Sequence, residues 1–239
     1  MIFSCGVRQN NTYAYPIRDG FVMVDTGSPS SFKAIKARLE RNDISFNNIR
    51  YIFLTHAHAD HAGCLKEILI KYPHIRVICH RDAINALVAG QNSFYGYCTS
   101  LKAYIYCKIL GKIGMKNHTF PKIDSFLLER FIFVDEGNYE EIGRLINGEI
   151  ILTPGHTSDS ISLFTNNYLF CGDMAMNGIW SHKKVIIWIE DRIKLISSWN
   201  RVIALNPKLV YPGHGKPFKI AELSKNIEEI KRVKMYKLR

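Results

Sequence analysis

Tyr51-Ile52-Phe53-Leu54-Thr55-His56-Ala57-His58-Ala59-Asp60-His61 is the stretch from which the rest of the chain is read. The apolar run Tyr51 to Leu54 predicts a strand, and the residues after it predict a loop turning into a helix that begins near Ala62. Side chains along an extended segment alternate in direction, so His56 and His58 project to one side. The turn into the helix swings Asp60 and His61 towards a second point. Three imidazoles and a carboxylate this close serve no apolar core, and neutral His is the commonest metal ligand. The stretch therefore points to two adjacent metal ions, with a polar, His-rich surface turn as the plainer alternative.

Working outward, His-x-His-x-Asp-His after an apolar strand resembles the hallmark of the metallo-β-lactamase-fold hydrolases. The resemblance implies three further ligands downstream: a His, a bridging Asp and a last His. The chain offers them in that order, in Pro154-Gly155-His156-Thr157, Cys171-Gly172-Asp173 and Tyr211-Pro212-Gly213-His214-Gly215. It extends from Val24-Asp25-Thr26-Gly27 to Pro217 and so covers nearly the whole chain. Carried over residue by residue, it implies one metal on His56, His58 and His156, a second on Asp60, His61 and His214, and Asp173 bridging them. It also implies that Asp25 lies beneath the site and holds a ligand in place, a task that ligand histidines require of some neighbour, with a turn carboxylate capping local backbone as the alternative. Nitrogen and oxygen ligation without thiolate suits two zinc ions, with iron or manganese as other occupants of the same set.

The remaining sequence predicts an α/β protein. Thr12 to Ile17 and Phe21 to Val24 read as paired strands around Arg18-Asp19-Gly20. Ser28-Pro29-Ser30 predicts a capped helix start, followed by an apolar stripe of Phe32, Ile35 and Leu39. A helix burying Leu65, Ile68 and Leu69 and a strand over Ile75 to Cys79 follow the motif. In the second half, strands are expected at Phe131 to Val134, Ile150 to Thr153, Ser160 to Phe164, Tyr168 to Cys171 and Lys208 to Tyr211, with a helix over Glu190 to Leu205. Strands alternating with helices in both halves imply two packed sheets with helices outside. This is the αββα sandwich of two mixed β-sheets that the resemblance also implies, expected as a single domain over residues 1–239.

Residues 81–130 break that rhythm. They hold Phe94, Tyr95, Tyr97, Tyr104 and Tyr106 with glycines at 90, 96, 111 and 114, and Leu101 to Leu110 looks helical. We expect a helical, aromatic insert, with Tyr95, Tyr97 and Tyr104 as a lid over the metal cleft; an extra helical layer that only packs is the alternative.

Composition narrows the function classes. With 239 residues and 47% hydrophobic content the chain can bury a substantial core. No apolar run approaches a membrane span, and Met1-Ile2-Phe3-Ser4-Cys5-Gly6 does not resemble a signal peptide, so a cytoplasmic protein without membrane attachment is expected. The six cysteines contain no Cys-x-x-Cys pair and read as packed free thiols. Cys171 shares a strand face with Asp173 by alternation and could be a ligand in principle, the minor alternative to a buried thiol. A net charge of +11 raises nucleic acid as a partner, but a terminal helix with a solvated Lys face accounts for the basic excess after Lys216. A small-molecule substrate is therefore expected, nucleic acid is not, and a homo-oligomer stays open.

For the reaction, the resemblance implies a dinuclear-metal hydrolase in which a metal-bridging hydroxide attacks an ester, lactone or thioester carbonyl, with Asp60 orienting it or passing on a proton. Asp173 and the absent leader argue against β-lactamase activity. The short tail after His214 argues against the glyoxalase II thioesterase, and the short interval between His156 and Asp173 against the nucleases of the family. A phosphodiesterase and a mononuclear iron sulfur dioxygenase are the alternatives.

Overall fold

The computed structural model describes residues 1–92, 95–112 and 119–237, with side chains described up to Ile109 in the helix that ends at Lys112. Phe94 and Gly114 of the expected insert, and His118, lie outside the described residues.

A six-stranded sheet is built from β1 (Phe3–Ser4), β2 (Tyr13–Ile17), β3 (Gly20–Val24), β4 (Ile49–Phe53), β5 (Arg76–His80) and β7 (Phe131–Val134), in that spatial order. β1 to β3 pair antiparallel, whereas β3, β4, β5 and β7 run parallel. Parallel strands are covered on both faces and so lack a polar side. Val77, Ile78 and Cys79 in β5 are accordingly all buried. A four-stranded sheet orders β12 (Leu209–Pro212), β10 (Tyr168–Gly172), β9 (Ile161–Thr165) and β8 (Glu149–Leu152).

Alternation along the strands sorts side chains into layers. Val22, Val24, Phe53 and Ile78 of the first sheet meet Ile150, Ile161, Leu163 and Phe170 of the second in a central core. Met23, Ile52, Val77 and Cys79 face the opposite way, against Ile35 and Leu39 of α1 (Phe32–Glu40) and Leu65, Ile68 and Leu69 of α3 (Leu65–Lys71). Leu169 and Cys171 face Leu195, Trp199 and Val202 of α7 (Arg192–Leu205) and Leu223 and Ile230 of α8 (Ala221–Arg232). The layers are helix, sheet, sheet, helix, as expected.

Three local details differ from the sequence reading. α1 starts at Phe32, because Ser30 takes a left-handed φ of 71° and Ser28 to Ser31 form a turn instead of a cap. The helix of the metal motif, α2 (Ala59–Ala62), starts three residues before the expected point, since extended His58 offers its carbonyl to the amides of both His61 and Ala62. α7 starts at Arg192, because the amides of Glu190 and Asp191 both donate to Gly155 O instead of opening a helix.

Residues 81–130 carry α4 (Ile84–Ala89), β6 (Tyr97–Cys98), α5 (Leu101–Lys112) and a 3-10 turn at Ser125–Arg130. β6 is the middle strand of a third, small sheet, between β11 (Trp188–Ile189) and β13 (Tyr236–Lys237). Two-residue strands this far apart in sequence leave no periodic signal. α6 (Tyr139–Leu145) packs beside β8. Among the described residues no helix is long and apolar enough to cross a membrane.

Candidate metal centre

The histidines and carboxylates lie where strands of both sheets end. Asp25 follows β3 with φ 59°, Thr55 and His56 follow β4, His156 follows β8, Asp173 follows β10 and His214 follows β12. Asp173 reaches the site because the pairing of β10 with β12 shifts register between Phe170 and Gly172, and Gly172 turns left-handed at φ 50°. That break also separates Asp173 from Cys171. The Cys171 thiol points into the outer core, towards the carbonyls of Gly172 and Ala175, and among the described residues it belongs to no ligand cluster. The alternation argument for Cys171 therefore fails at a bulge.

Four of the five rings are aimed by a hydrogen bond on one nitrogen. His61 Nδ1 lies 2.7 Å from Asp25 Oδ2, His156 Nδ1 donates to Trp188 O at 2.9 Å, and His214 Nδ1 donates to Gln9 O at 3.0 Å. His56 Nδ1 pairs with Thr55 Oγ1 at 3.1 Å. The Nε2 atoms of these four rings are thus left for the centre. There, His156 Nε2 is 3.1 Å from His58 Nδ1, His61 Nε2 is 3.4 Å from Asp173 Oδ1, and His214 Nε2 is 3.3 Å from Asp173 Oδ2 and 3.1 Å from Asp60 Oδ2. Ligand atoms within 4.8 Å of one another group as His56, His58 and His156; His56, His61 and Asp173; and Asp60, His61 and His214. His56 and His61 each belong to two of these groups, and Asp173 Oδ2 also lies 3.8 Å from His156 Nε2.

A metal fits this donor set. His56 Nε2, His61 Nε2 and Asp173 Oδ1 are buried without a hydrogen-bond partner among the described residues, and orphaned buried polar atoms are costly unless something else binds them. Burial and the neighbouring imidazoles push His58 down to about 3 and His56 well down, and burial lowers His156 as well, which favours neutral rings with free lone pairs. Burial also opposes charge on Asp60, Asp173, His61 and His214, but their mutual attraction wins. The carboxyls stay below and the imidazoles above their usual ranges, with His214 pushed up to about 10. Bound cations would take the place of those protons.

Asp25 is 2% exposed and also accepts from Thr55 N at 2.8 Å. The sequence reading overlooked Asp159, which is buried and accepts from Ala57 N at 2.8 Å, fixing the loop between His56 and His58. It also overlooked Asn92, whose Oδ1 accepts from Ala59 N at 2.8 Å. Asp159, three residues after His156, had a findable signal in the acid beside a ligand; the carbonyls of Gln9 and Trp188 had none. Of the expected lid residues, Tyr95 is 84% exposed, Tyr97 lies in β6 opposite Ile189, and Tyr104 sets its ring 5.7 Å from that of Tyr236. His182 is exposed and outside the clusters.

Residues 5–214 match the family model of the metallo-beta-lactamase superfamily. The chain is 30% identical over 204 residues to the metallo-beta-lactamase fold-containing protein ST1585 of Sulfurisphaera tokodaii, covering 81% of this chain and 68% of that one. It is 26% identical over 161 residues to a hydroxyacylglutathione hydrolase of Idiomarina loihiensis, covering 67% of this chain but only 44% of the relative. It likewise spans 55% of the beta-lactamase-like protein 2 homolog of Caenorhabditis elegans. Among solved structures, TTHA1623 in a di-iron-bound form superposes with a TM-score of 0.63 at 20% identity, over 91% of this chain and 93% of that one. A B3 metallo-beta-lactamase gives 0.67 at 17% identity, over 97% and 85%. At these identities the structures speak for the fold.

Proposed function

The chain belongs to the metallo-beta-lactamase superfamily of metal-dependent hydrolases, and from that premise we propose that it hydrolyses an ester, lactone or thioester at a dinuclear metal site. The observation that carries the dinuclear reading is the double adjacency of Asp173, whose Oδ2 lies 3.8 Å from His156 Nε2 of one set and whose Oδ1 lies 3.4 Å from His61 Nε2 of the other. In this reading His56, His58 and His156 would hold one cation and Asp60, His61 and His214 the other, with Asp173 available to both.

When bound, such cations acidify water and polarise the scissile bond. The chain's own groups supply orientation and proton handling. Thr55, Asp25, Trp188 O and Gln9 O lock the rings. Asp60, half-buried and 3.1 Å from His214, is the carboxylate placed to orient the attacking water and pass a proton to the leaving group. No Ser or Cys nucleophile is needed, and burial raises the thiols of Cys5, Cys64, Cys79 and Cys171. A carbonyl substrate is supported by the hydroxyacylglutathione hydrolase among the relatives, by its name an enzyme acting on an acylated glutathione. Zinc suits the nitrogen and oxygen donors, and the di-iron neighbour keeps iron in view as the other occupant.

The test is metal analysis together with turnover of a lactone, a thioester, a phosphodiester and a β-lactam by the metal-loaded protein. Two zinc per chain with turnover of the lactone or thioester is expected. Preferential phosphodiester cleavage would replace the carbonyl reading, and a single iron with oxygen consumption would replace hydrolysis.

A further inference from the structure

α5 carries an exposed apolar face. Leu101, Ile105 and Ile109 recur every four residues, each about half exposed, and form a stripe opposite the buried Ala103. On one flank of the stripe the ring of Tyr106 stacks 5.7 Å from that of Trp180, which is itself 44% exposed and follows Ile179, 88% exposed. Exposed apolar residues are common singly, but a group drawn from two segments far apart in sequence marks an interaction site.

Basic groups edge the same face. On the other flank of the stripe Tyr104 meets Tyr236 of β13, and Lys108 Nζ and Lys234 Nζ lie 5.5 Å and 5.2 Å from those two ring centroids. α8 ends at Arg232, so Lys234 and Lys237 are carried not on that helix but on the segment that pairs with β6. Residues 83–123 and 230–239 hold no Asp or Glu. Lys183, Lys184 and Lys231 pair with glutamates, whereas exposed Lys102, Lys108, Lys234 and Lys237 have no carboxylate partner among the described residues.

We propose that this face docks on an anionic phospholipid bilayer, with the α5 stripe, Ile179 and Trp180 entering the headgroup boundary and the unpaired lysines meeting the lipid phosphates.

Such attachment needs no spanning helix, only apolar side chains backed by cations. An indole has an apolar body and one N–H, which suits the boundary between acyl chains and water. Lysine stems lie along apolar surface while their ammonium groups reach outward. A second copy fits less well, because a symmetric contact through this face would bring the same unpaired lysines together. An acidic protein would answer the lysines but would need a groove shaped to side chains standing out from a helix, whereas a bilayer deforms around them.

The experiment sediments the full chain with phosphatidylcholine vesicles, with and without phosphatidylglycerol. Binding should rise with phosphatidylglycerol and fall with salt, with a blue shift of tryptophan emission that Trp180→Phe removes. A net charge of +11 by itself draws the chain to anionic vesicles, so the apolar variants decide. The double variant Ile105→Ser, Ile109→Ser should lower partitioning by roughly 10-fold or more, with the circular dichroism of the wild type. Lys102→Gln and Lys108→Gln should each lower it by about 5-fold. Unchanged partitioning of the isoleucine variant would reduce the association to bulk charge and overturn the proposal, as would no binding at low salt. A dimer seen by light scattering and dissolved by the same variant, without vesicle binding by the wild type, would give the face to a second copy instead. Should the isoleucine variant fail to fold, Trp180 decides: unshifted emission on phosphatidylglycerol vesicles overturns the proposal.

Discussion

Asp25 Oδ2 and His61 Nδ1 lie 2.7 Å apart, both residues almost wholly buried, and this contact joins the end of β3 to the helix of the metal motif. Asp25 also accepts the amide and hydroxyl of Thr55 after β4, at 2.8 Å and 2.9 Å. One carboxylate thus sets the orientation of a ring in α2 and the exit of the strand carrying His56 and His58.

Asp25→Asn keeps the shape and tolerates the left-handed φ, but one amide oxygen cannot replace two charged ones. We expect metal affinity to fall by about 10- to 100-fold, the usual effect of removing a partner of a ligating His. Competition with a chromophoric chelator measures it, and wild-type affinity in the folded variant would show that Asp25 only caps its turn.

His58→Ala and Asp173→Ala each remove a donor from the clusters. Each should lose tight uptake of metal, read by elemental analysis, together with hydrolysis of whichever panel substrate the wild type turns over. Full activity in a metal-poor His58→Ala protein would contradict the ligand assignment.

Gly213 tests the same centre without touching a ligand. A Cβ placed there would sit 2.5 Å from Asp173 Oδ1 and 2.6 Å from His61 Cε1, while the backbone itself is one any residue adopts. Gly213→Ala should therefore weaken metal binding by roughly 10-fold or more, with a circular dichroism spectrum like the wild type's. An unchanged dissociation constant would mean that the two side chains yield freely.

Asp159→Ala would leave the buried amide of Ala57 without its acceptor. A buried donor left unpaired costs about 1–3 kcal/mol, read as a lower denaturation midpoint in urea. Asp159→Asn, which keeps an acceptor oxygen, should recover most of it. Equal losses in both variants would point to the charge instead of the hydrogen bond.

Much of this was legible because it is written in local pattern. Apolar runs ending in Thr55, Thr153, Gly172 and Pro212 mark strands whose ends deliver His56, His156, Asp173 and His214, and strand alternation assigns Met23 and Val24 to different layers. Where the reading slipped, one residue's backbone overrode the pattern. Ser30 in the left-handed region delayed α1, and the bulge at Gly172 undid the pairing of Cys171 with Asp173 on one face.

By itself the sequence determined the layered α/β class and the chemistry of the donor side chains, because periodicity and residue type are properties of short segments. Only the tertiary structure decided which atoms aim those donors. The carbonyls of Gln9 and Trp188 turn His214 and His156, Asp159 holds the loop at Ala57, and β6 finds its partners in β11 and β13. A backbone carbonyl has no residue-type signature, and contacts between segments far apart along the chain exist only once packing has closed the loops between them.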